Sequence, residues 1–355
     1  MRIGIVGLPQ CGKTTIFKLL TNVETKGNTK VNTGVAKVLD PRVTYLAKLF
    51  NPKKLSYAAI EMIDIAGFIL SQTKKDGDFF DALRDVDAIV QVISTFTINN
   101  EMAAADDAQL DPIRDLDQVQ AELVLADWNL VETRLERLEK ERMKNPQSNK
   151  EQVILTKCRE LLEQDLPLRL LELTDEEAKD IRGYNFFTLK PLLLVVNVNE
   201  TQMRQAKYPK QGQINTWAKE RGIPIIIVSG QVEMEINELD EDDKIMFMKD
   251  MGIEETGIQR LSREVYAHLG LISYFTVGED EVKAWTISQG TTAKQGAGKI
   301  HSDIERGFIC AEVISYEDFV SLGSIQKVKE KGLFRLEGKD YIIADGDIIS
   351  FRFNV

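Results

Sequence analysis

Eight residues near the N-terminus carry the most specific chemistry in this 355-residue sequence. Gly7-Leu8-Pro9-Gln10-Cys11-Gly12-Lys13-Thr14 fits the pattern G-x-x-x-x-G-K-[ST]. Each residue type has a task. Glycines let backbone N–H groups curl around a β-phosphate, and a following helix adds its positive dipole end. Lys13 would neutralise β- and γ-phosphate oxygens, and the Thr14 hydroxyl would hold Mg²⁺. Gly7, Gln10, Cys11, Gly12 and Thr15 complete the candidate cradle. A surface lysine on a glycine-rich turn would give the same letters, so the flanks decide. Met1 to Val6 is a β-branched run, and Thr15 to Leu20 has an apolar helical face.

Three further fragments follow apolar runs, where an open α/β sheet binds its ligands. Asp64-Ile65-Ala66-Gly67 supplies an acid for Mg²⁺ through water and a Gly67 N–H for a γ-phosphate. Lys13 and Gly67 are thus the candidate catalytic groups. Asn197-Val198-Asn199-Glu200 sits where a base-recognition loop would, and Ser229-Gly230 would back the base. D-x-x-G alone recurs by chance in many proteins. The order of the four fragments, each at the end of a strand, makes the signal strong.

The elements that must position them alternate. Strands are expected at Gly34 to Leu39, Ala58 to Ile63, Asp87 to Ile93, Lys190 to Val196 and Ile223 to Val228, with helices between. Asp40-Pro41 starts one helix, and another spans Ile258 to Leu269. This is the pattern of a mostly parallel α/β sheet. It breaks between Asp115 and Met143, where Val119, Leu123, Ala126 and Leu130 repeat at coiled-coil spacing, with Leu135 and Leu138 beyond. Some 28 helical residues at 1.5 Å each make a rod of about 40 Å. Asn145 to Asn149 is the turn, and Ile154, Cys158 and Leu161 are the returning seam. A protruding helical hairpin is expected, with Lys140, Arg142, Lys144 and Lys150 forming a basic tip, and an amphipathic helix pair packed on the sheet is the alternative. After Leu271 come short β-type runs (272–277, 284–287, 311–314, 341–343 and 348–353) and one helix near Gly298 to Arg306.

Bulk numbers narrow the class. Apolar residues are 43% and charged residues 28%, a globular mixture. Net charge of −11 argues against a surface that coats nucleic acid, while leaving room for a local basic patch. No apolar run approaches the ~20 residues of a membrane span. The chain enters its first strand at once, so no leader and a cytoplasmic, reducing location are expected. Cys11, Cys158 and Cys310 lie far apart and, with only two histidines, show no zinc-ligand spacing. Cys11 reads as a small filler in the loop, with an oxidisable thiol as the alternative.

These motifs resemble the translation-factor class of P-loop NTPases and, within it, the Obg-like ATPase (YchF) family. The C-terminal part carries the closest likeness: Gly290-Thr291-Thr292-Ala293, Gly298 to Asp303, Gly307 to Val313, Leu336 to Tyr341, Asp345-Gly346-Asp347 and Phe351 to Val355 look like that family's TGS domain. The resemblance covers the whole chain. It implies a P-loop nucleotide-binding domain (1–114 and 185–270), a helical coiled-coil insertion (115–184) and a β-grasp TGS domain (271–355). It also implies ATP as substrate, Mg²⁺ as cofactor, and the ribosome as partner through the hairpin tip or the TGS domain, with no membrane and a monomeric state.

The base is argued from chemistry. In N-K-x-D GTPases the Asp accepts from guanine N1–H and the 2-amino group. Here the loop ends in Glu200, and Val198 replaces the Lys. Adenine recognition by Asn197 and the backbone around Val198 is the reading implied, so ATP is preferred over GTP. Phe68 follows D-x-x-G where Ras-like enzymes carry Gln, so slow hydrolysis is expected. Gln10 stands where the family has Asn, a residue that related enzymes use near potassium. Most glycines after D-x-x-G are missing. The family's switch threonine matches best at Thr29, so Thr14, Thr29 and Asp64 are the expected Mg²⁺ set. Two alternatives stay open: a nucleotide-gated binding module with negligible hydrolysis, and a GTPase.

Overall fold

The computed structural model describes residues 1–24, 31–65, 77–97, 110–141, 148–253 and 255–354. In chain order the elements are β1 (Arg2–Val6), α1 (Lys13–Thr21), β2 (Val31–Val38), α2 (Pro41–Phe50), β3 (Lys54–Ser56), β4 (Ala58–Ile65), α3 (Gly77–Arg84), β5 (Ala88–Ser94), α4 (Pro112–Glu141) and α5 (Ser148–Leu162). Then come α6 (Asp175–Ile181), β6 (Leu192–Asn197), α7 (Glu200–Gln205), α8 (Gln211–Glu220), β7 (Ile225–Val228), α9 (Gly230–Glu238), α10 (Glu241–Asp250) and α11 (Gly257–His268). The C-terminal part holds β8 (Leu271–Thr276), β9 (Glu281–Ser288), α12 (Ala293–Ile300), α13 (Ser302–Arg306), β10 (Phe308–Ile314), α14 (Tyr316–Leu322), α15 (Ile325–Glu330), β11 (Arg335–Glu337) and β12 (Ile348–Phe353). They form an α/β fold with two six-stranded sheets, ordered β2-β4-β1-β5-β6-β7 and β11-β10-β12-β8-β9-β3.

The chain divides into two compact units. One is 1–35 with 61–260, and the other is 36–60 with 261–355. Residues 36–60, read from sequence as part of the nucleotide-binding domain, therefore cluster with the C-terminal part. The hairpin falls within the first unit.

In the first unit, β4, β1, β5, β6 and β7 run parallel. β5 and β6 are buried along their whole length, and their sequences are apolar apart from Gln91 and Ser94 in β5 and the closing Asn197 of β6. Their carboxyl ends lie along one edge, so the segments after β1, β4, β6 and β7 meet there. α4 serves two cores. Its early residues Leu116, Val119 and Leu123 pack with the sheet core. Its later residues Val124, Val131, Leu135 and Leu138 pair with Ile154, Leu155, Cys158 and Leu162 of α5. The expected free-standing seam is thus corrected. Val119 and Leu123 face the sheet because α4 starts beside β5, and only the distal part is helical hairpin.

The base of the hairpin is pinned by one buried acid. Asp127 accepts from the backbone N–H of Phe187 at 2.9 Å and of Thr188 at 2.8 Å, and from the Thr188 hydroxyl at 2.7 Å. It is fully buried.

The second unit is a β-grasp arrangement. α12 lies on a mixed sheet, and Tyr274 Oη donates to Gly296 O at 2.9 Å. Of the expected β runs, 341–343 is not a strand and makes only an isolated bridge between Ile342 and Thr292. β3, β11, α14 and α15 were not read from sequence; they are short. α2 is held in this unit by Arg42. Its guanidinium donates to both oxygens of Asp345 at 2.8 and 3.2 Å, pairs with Asp40, and lies over the Phe275 ring at 5.1 Å.

Burial pushes the Asp127 carboxyl up to about 6. A carboxyl with a raised folded pKa stabilises most below its unfolded value, about 3.9, and that contribution fades as pH rises through the folded value. Asp127→Ala leaves three buried donors without their acceptor. It should lower urea-unfolding stability by about 3 kcal/mol near pH 4, with the gap to the parent narrowing toward pH 7.

Candidate nucleotide site

The loop between β1 and α1 is built by backbone strain. Gly7 has φ 152°, Gln10 has φ 64° and Gly12 has φ 98°. Glycine is needed at the outer two for space as well. A Cβ on Gly7 would meet Val92 O at 2.3 Å, and one on Gly12 would meet Asn197 Nδ2 at 2.3 Å. Gln10 holds a left-handed conformation without being glycine. The first turn of α1 then points its N–H groups over the loop. Lys13 is buried, and its ammonium donates to Leu8 O at 2.7 Å, bridging the loop's own backbone.

β4 delivers the acid. Asp64 is 1% exposed, and its Oδ2 accepts from the Thr14 hydroxyl at 3.0 Å. Its other oxygen, Oδ1, is buried and has no hydrogen-bond partner among the described residues. An orphaned carboxylate oxygen beside a threonine hydroxyl suits a hard divalent cation, which takes few protein ligands when phosphates supply the rest. Among the described residues no cluster of three His, Cys, Asp or Glu could hold a metal by itself. Thr29, Gly67 and Phe68 lie outside the described residues, as do Arg142 and Lys144 of the expected hairpin tip.

β6 and β7 supply the other wall. Asn197 is 3% exposed, and both ends of its carboxamide are engaged. Its Nδ2 donates to Cys11 O at 3.1 Å, and its Oδ1 accepts from Gly230 N at 3.1 Å. Asn197 thereby ties the phosphate loop to the loop after β7. These contacts use one of its two N–H donors and one of its two oxygen lone pairs, and Asn197 also lines the cavity beside them. The Val198 side chain is buried in the sheet core, and its N–H donates to Val228 O at 2.9 Å. Ser229 is fully buried and caps α9 by accepting from Val232 N at 3.4 Å.

Beside this clamp opens a cavity of about 390 Å³, lined by Gly12, Thr15, Phe96, Asn197, Asn199 and Gly230, and on one side by Gln231, Met234, Glu235 and Glu238 of α9. Glu200 does not line it. It occupies the first position of α7 and turns along the helix to accept from Arg204 at 2.9 Å. Phe96 is set by its neighbour. Thr95 N donates to Asn197 O at 3.1 Å, and Gln202 Nε2 donates to Thr95 O at 2.9 Å. The sequence reading missed Phe96, Asn199 and the α9 side chains. A signal existed, since 231, 234, 235 and 238 fall at i, i+3, i+4 and i+7 of a helix that starts at Gly230.

Cys11 lines a second cavity, of about 260 Å³, behind the loop with Leu8, Pro9, Gln10, Val92 and Asp115 among its walls. Burial raises its thiol pKa above the ordinary value. Lys13 pulls the other way and loses, so the filler reading holds and an easily oxidised thiolate does not fit.

Gly12→Ala combines an unfavourable φ with a contact no Cβ can make. It should lower apo stability by about 2 kcal/mol or more and reduce nucleotide affinity in the same samples. Gln10→Gly relieves the left-handed strain and should raise the urea midpoint by an amount worth about 0.5–1 kcal/mol.

The geometry is that of a nucleotide pocket, and comparisons with known proteins agree. A family model described as "50S ribosome-binding GTPase" matches residues 2–129. A second, YchF-GTPase_C, described as a protein of unknown function (DUF933), matches 271–354. The chain is 39% identical over 363 residues to the ribosome-binding ATPase YchF of Bacillus subtilis, covering 99% of each. It is 40% identical over 364 residues to that of Pasteurella multocida, covering 100% of this chain and 99% of the relative. The solved structure of the Schizosaccharomyces pombe YchF GTPase matches with a TM-score of 0.88 at 30% identity, covering 99% of this chain and 97% of that one. A GTP binding protein from Pyrococcus horikoshii shares the fold, with a TM-score of 0.60 at 18% identity. The chain belongs to the YchF family of P-loop NTPases.

Proposed function

We propose that this protein is an Mg²⁺-dependent ATPase of slow turnover, a cytoplasmic monomer whose nucleotide state governs its hold on the ribosome. The observation that carries the reading is the Thr14–Asp64 pair, with its orphaned carboxylate oxygen, at the lip of a strained glycine loop. Thr14 would ligate the cation directly and Asp64 through water. The cation would supply charge neutralisation at the phosphate oxygens. Lys13 would leave Leu8 O and add its charge to the β/γ oxygens. The N–H groups of the loop and of the first turn of α1 would hold the phosphates in place. Gly67 would donate to the γ-phosphate, and Thr29 would join the metal set on closure.

The base follows from what the cavity presents. Relatives bear both names, ATPase and GTPase. In a guanine-reading loop the acid after β6 must face the base. Here Glu200 is turned to Arg204, so no acid from the loop after β6 lines the cavity. This favours adenine. Slow turnover rests on Phe68, which cannot orient an attacking water. The same residue favours the second reading, a nucleotide-gated binding module that barely hydrolyses.

The ribosome as partner is carried from relatives named as ribosome-binding ATPases. Lys140 and Lys150, with Arg142 and Lys144 between them in sequence, offer a basic hairpin end for RNA phosphates. No helix among the described residues is long and apolar enough to cross a membrane.

Calorimetric titration of nucleotide-free protein with non-hydrolysable ATP and GTP analogues tests the reading. ATP should bind roughly tenfold tighter or more, about 1.4 kcal/mol. Thr14→Ala should raise the Mg²⁺ needed for half-maximal binding by roughly tenfold, and Lys13→Ala should abolish turnover. Tighter GTP binding would make the protein a GTPase. Unchanged ribosome co-sedimentation in a hydrolysis-dead variant that still binds ATP would favour the binding module.

A further inference from the structure

The cavity beside the Asn197 clamp has an uneven charge. No lysine or arginine lines it among the described residues, while two carboxylates do. Glu235 and Glu238 stand on one stripe of α9 with Gln231 and Met234. Gln231 Nε2 donates to Glu235 Oε1 at 3.3 Å. That bond uses a donor of Gln231 and one oxygen of Glu235. It leaves the Gln231 carbonyl and the second Glu235 oxygen as acceptors toward the opening. Asn199 Oδ1 accepts from Gln202 N at 2.9 Å, which leaves its NH₂ as a donor. The cavity therefore asks for a ligand edge with an amine to give and a ring nitrogen to receive.

Resting on the nucleotide-binding reading above, we propose that Glu235, oriented by Gln231, is the residue that selects the base by accepting from the exocyclic 6-amino group of adenine, and that Glu200 has no part in the selection. Adenine brings a 6-amino donor beside ring acceptors at N1 and N7. Hypoxanthine and guanine carry a 6-oxo acceptor there, which a carboxylate repels. A site that leaves a polar group unpaired rejects the wrong ligand. Glu235 is exposed in the free protein, so its substitution leaves the core untouched.

The test titrates full-length protein with Mg²⁺-bound ATP and inosine triphosphate, which differ at the 6-position, and with GTP. It uses the parent, Glu235→Ala, Glu235→Gln and Glu200→Ala. The parent should prefer ATP over inosine triphosphate by about tenfold or more. Glu235→Ala should cut that preference to about threefold or less, mainly by weakening ATP. Glu235→Gln keeps an acceptor and should recover part of it, and Glu200→Ala should keep the parent's ratio. A parent-like ratio in Glu235→Ala, or a collapse in Glu200→Ala, overturns the assignment while ATP binding stands. A parent that binds ATP and inosine triphosphate equally, or neither, overturns the ATP reading and this assignment together.

Discussion

The site depends on one side-chain amide. Asn197 leaves the end of β6 and reaches both the carbonyl of Cys11 and the N–H of Gly230. Three segments far apart in sequence are thereby fixed with two hydrogen bonds from one buried group. A buried carboxamide cannot leave either end unpaired without a penalty of about 1–3 kcal/mol. The clamp therefore dictates its surroundings. Gly12 must be glycine because the amide occupies the place of its Cβ. Gly230 packs against Thr15 and the same amide, so the start of α9 is drawn to the phosphate loop. The cleft is the space this convergence leaves.

The sheet supplies the precision that the clamp needs. β1, β5 and β6 are in parallel register, and Ser94 pairs with Asn197. Their side chains are buried on both faces, which holds the strand ends to one edge. Asp64 arrives from β4 on the far side of β1 and meets Thr14 there. The strained loop and the Thr14–Asp64 pair thus sit at the ends of β1 and β4, and the cavity beside the clamp at β6, β7 and the helix that follows. Catalysis by positioning requires this rigidity more than it requires reactive side chains.

Much of this was legible in the sequence. The phosphate loop announces itself because glycine spacing, lysine and hydroxyl are each forced by the ligand. The buried strands are legible because their runs are dominated by Ile, Val and Leu, with Gln91 the one polar residue inside β5. The base side was not. Spacing locates Asn197 and Glu200 but does not say where a side chain points. Glu200 opens a helix, and Arg204 one turn later draws it away. Val198 alternates into the core, as strand-end residues do. The division of α4 between two cores was hidden for a similar reason. The 4-3-4 spacing from Val119 to Leu130 runs through the place where the partner changes from sheet to α5. The bond from Arg42 to Asp345 was hidden because its two ends lie 303 positions apart.

The central claim is that the cleft is preorganised by the Asn197 clamp before nucleotide arrives. Amide hydrogen exchange of the nucleotide-free protein tests it most directly, with Asn197→Ala beside the parent. The account predicts that the Gly230 amide is protected in the parent. In the variant, exchange at Gly230 should speed up, as should exchange in the loop around Cys11, while the strand amides of β5 stay as protected as before. Equal protection of Gly230 in both proteins would mean that the sheet alone holds the cleft together, and would contradict the account.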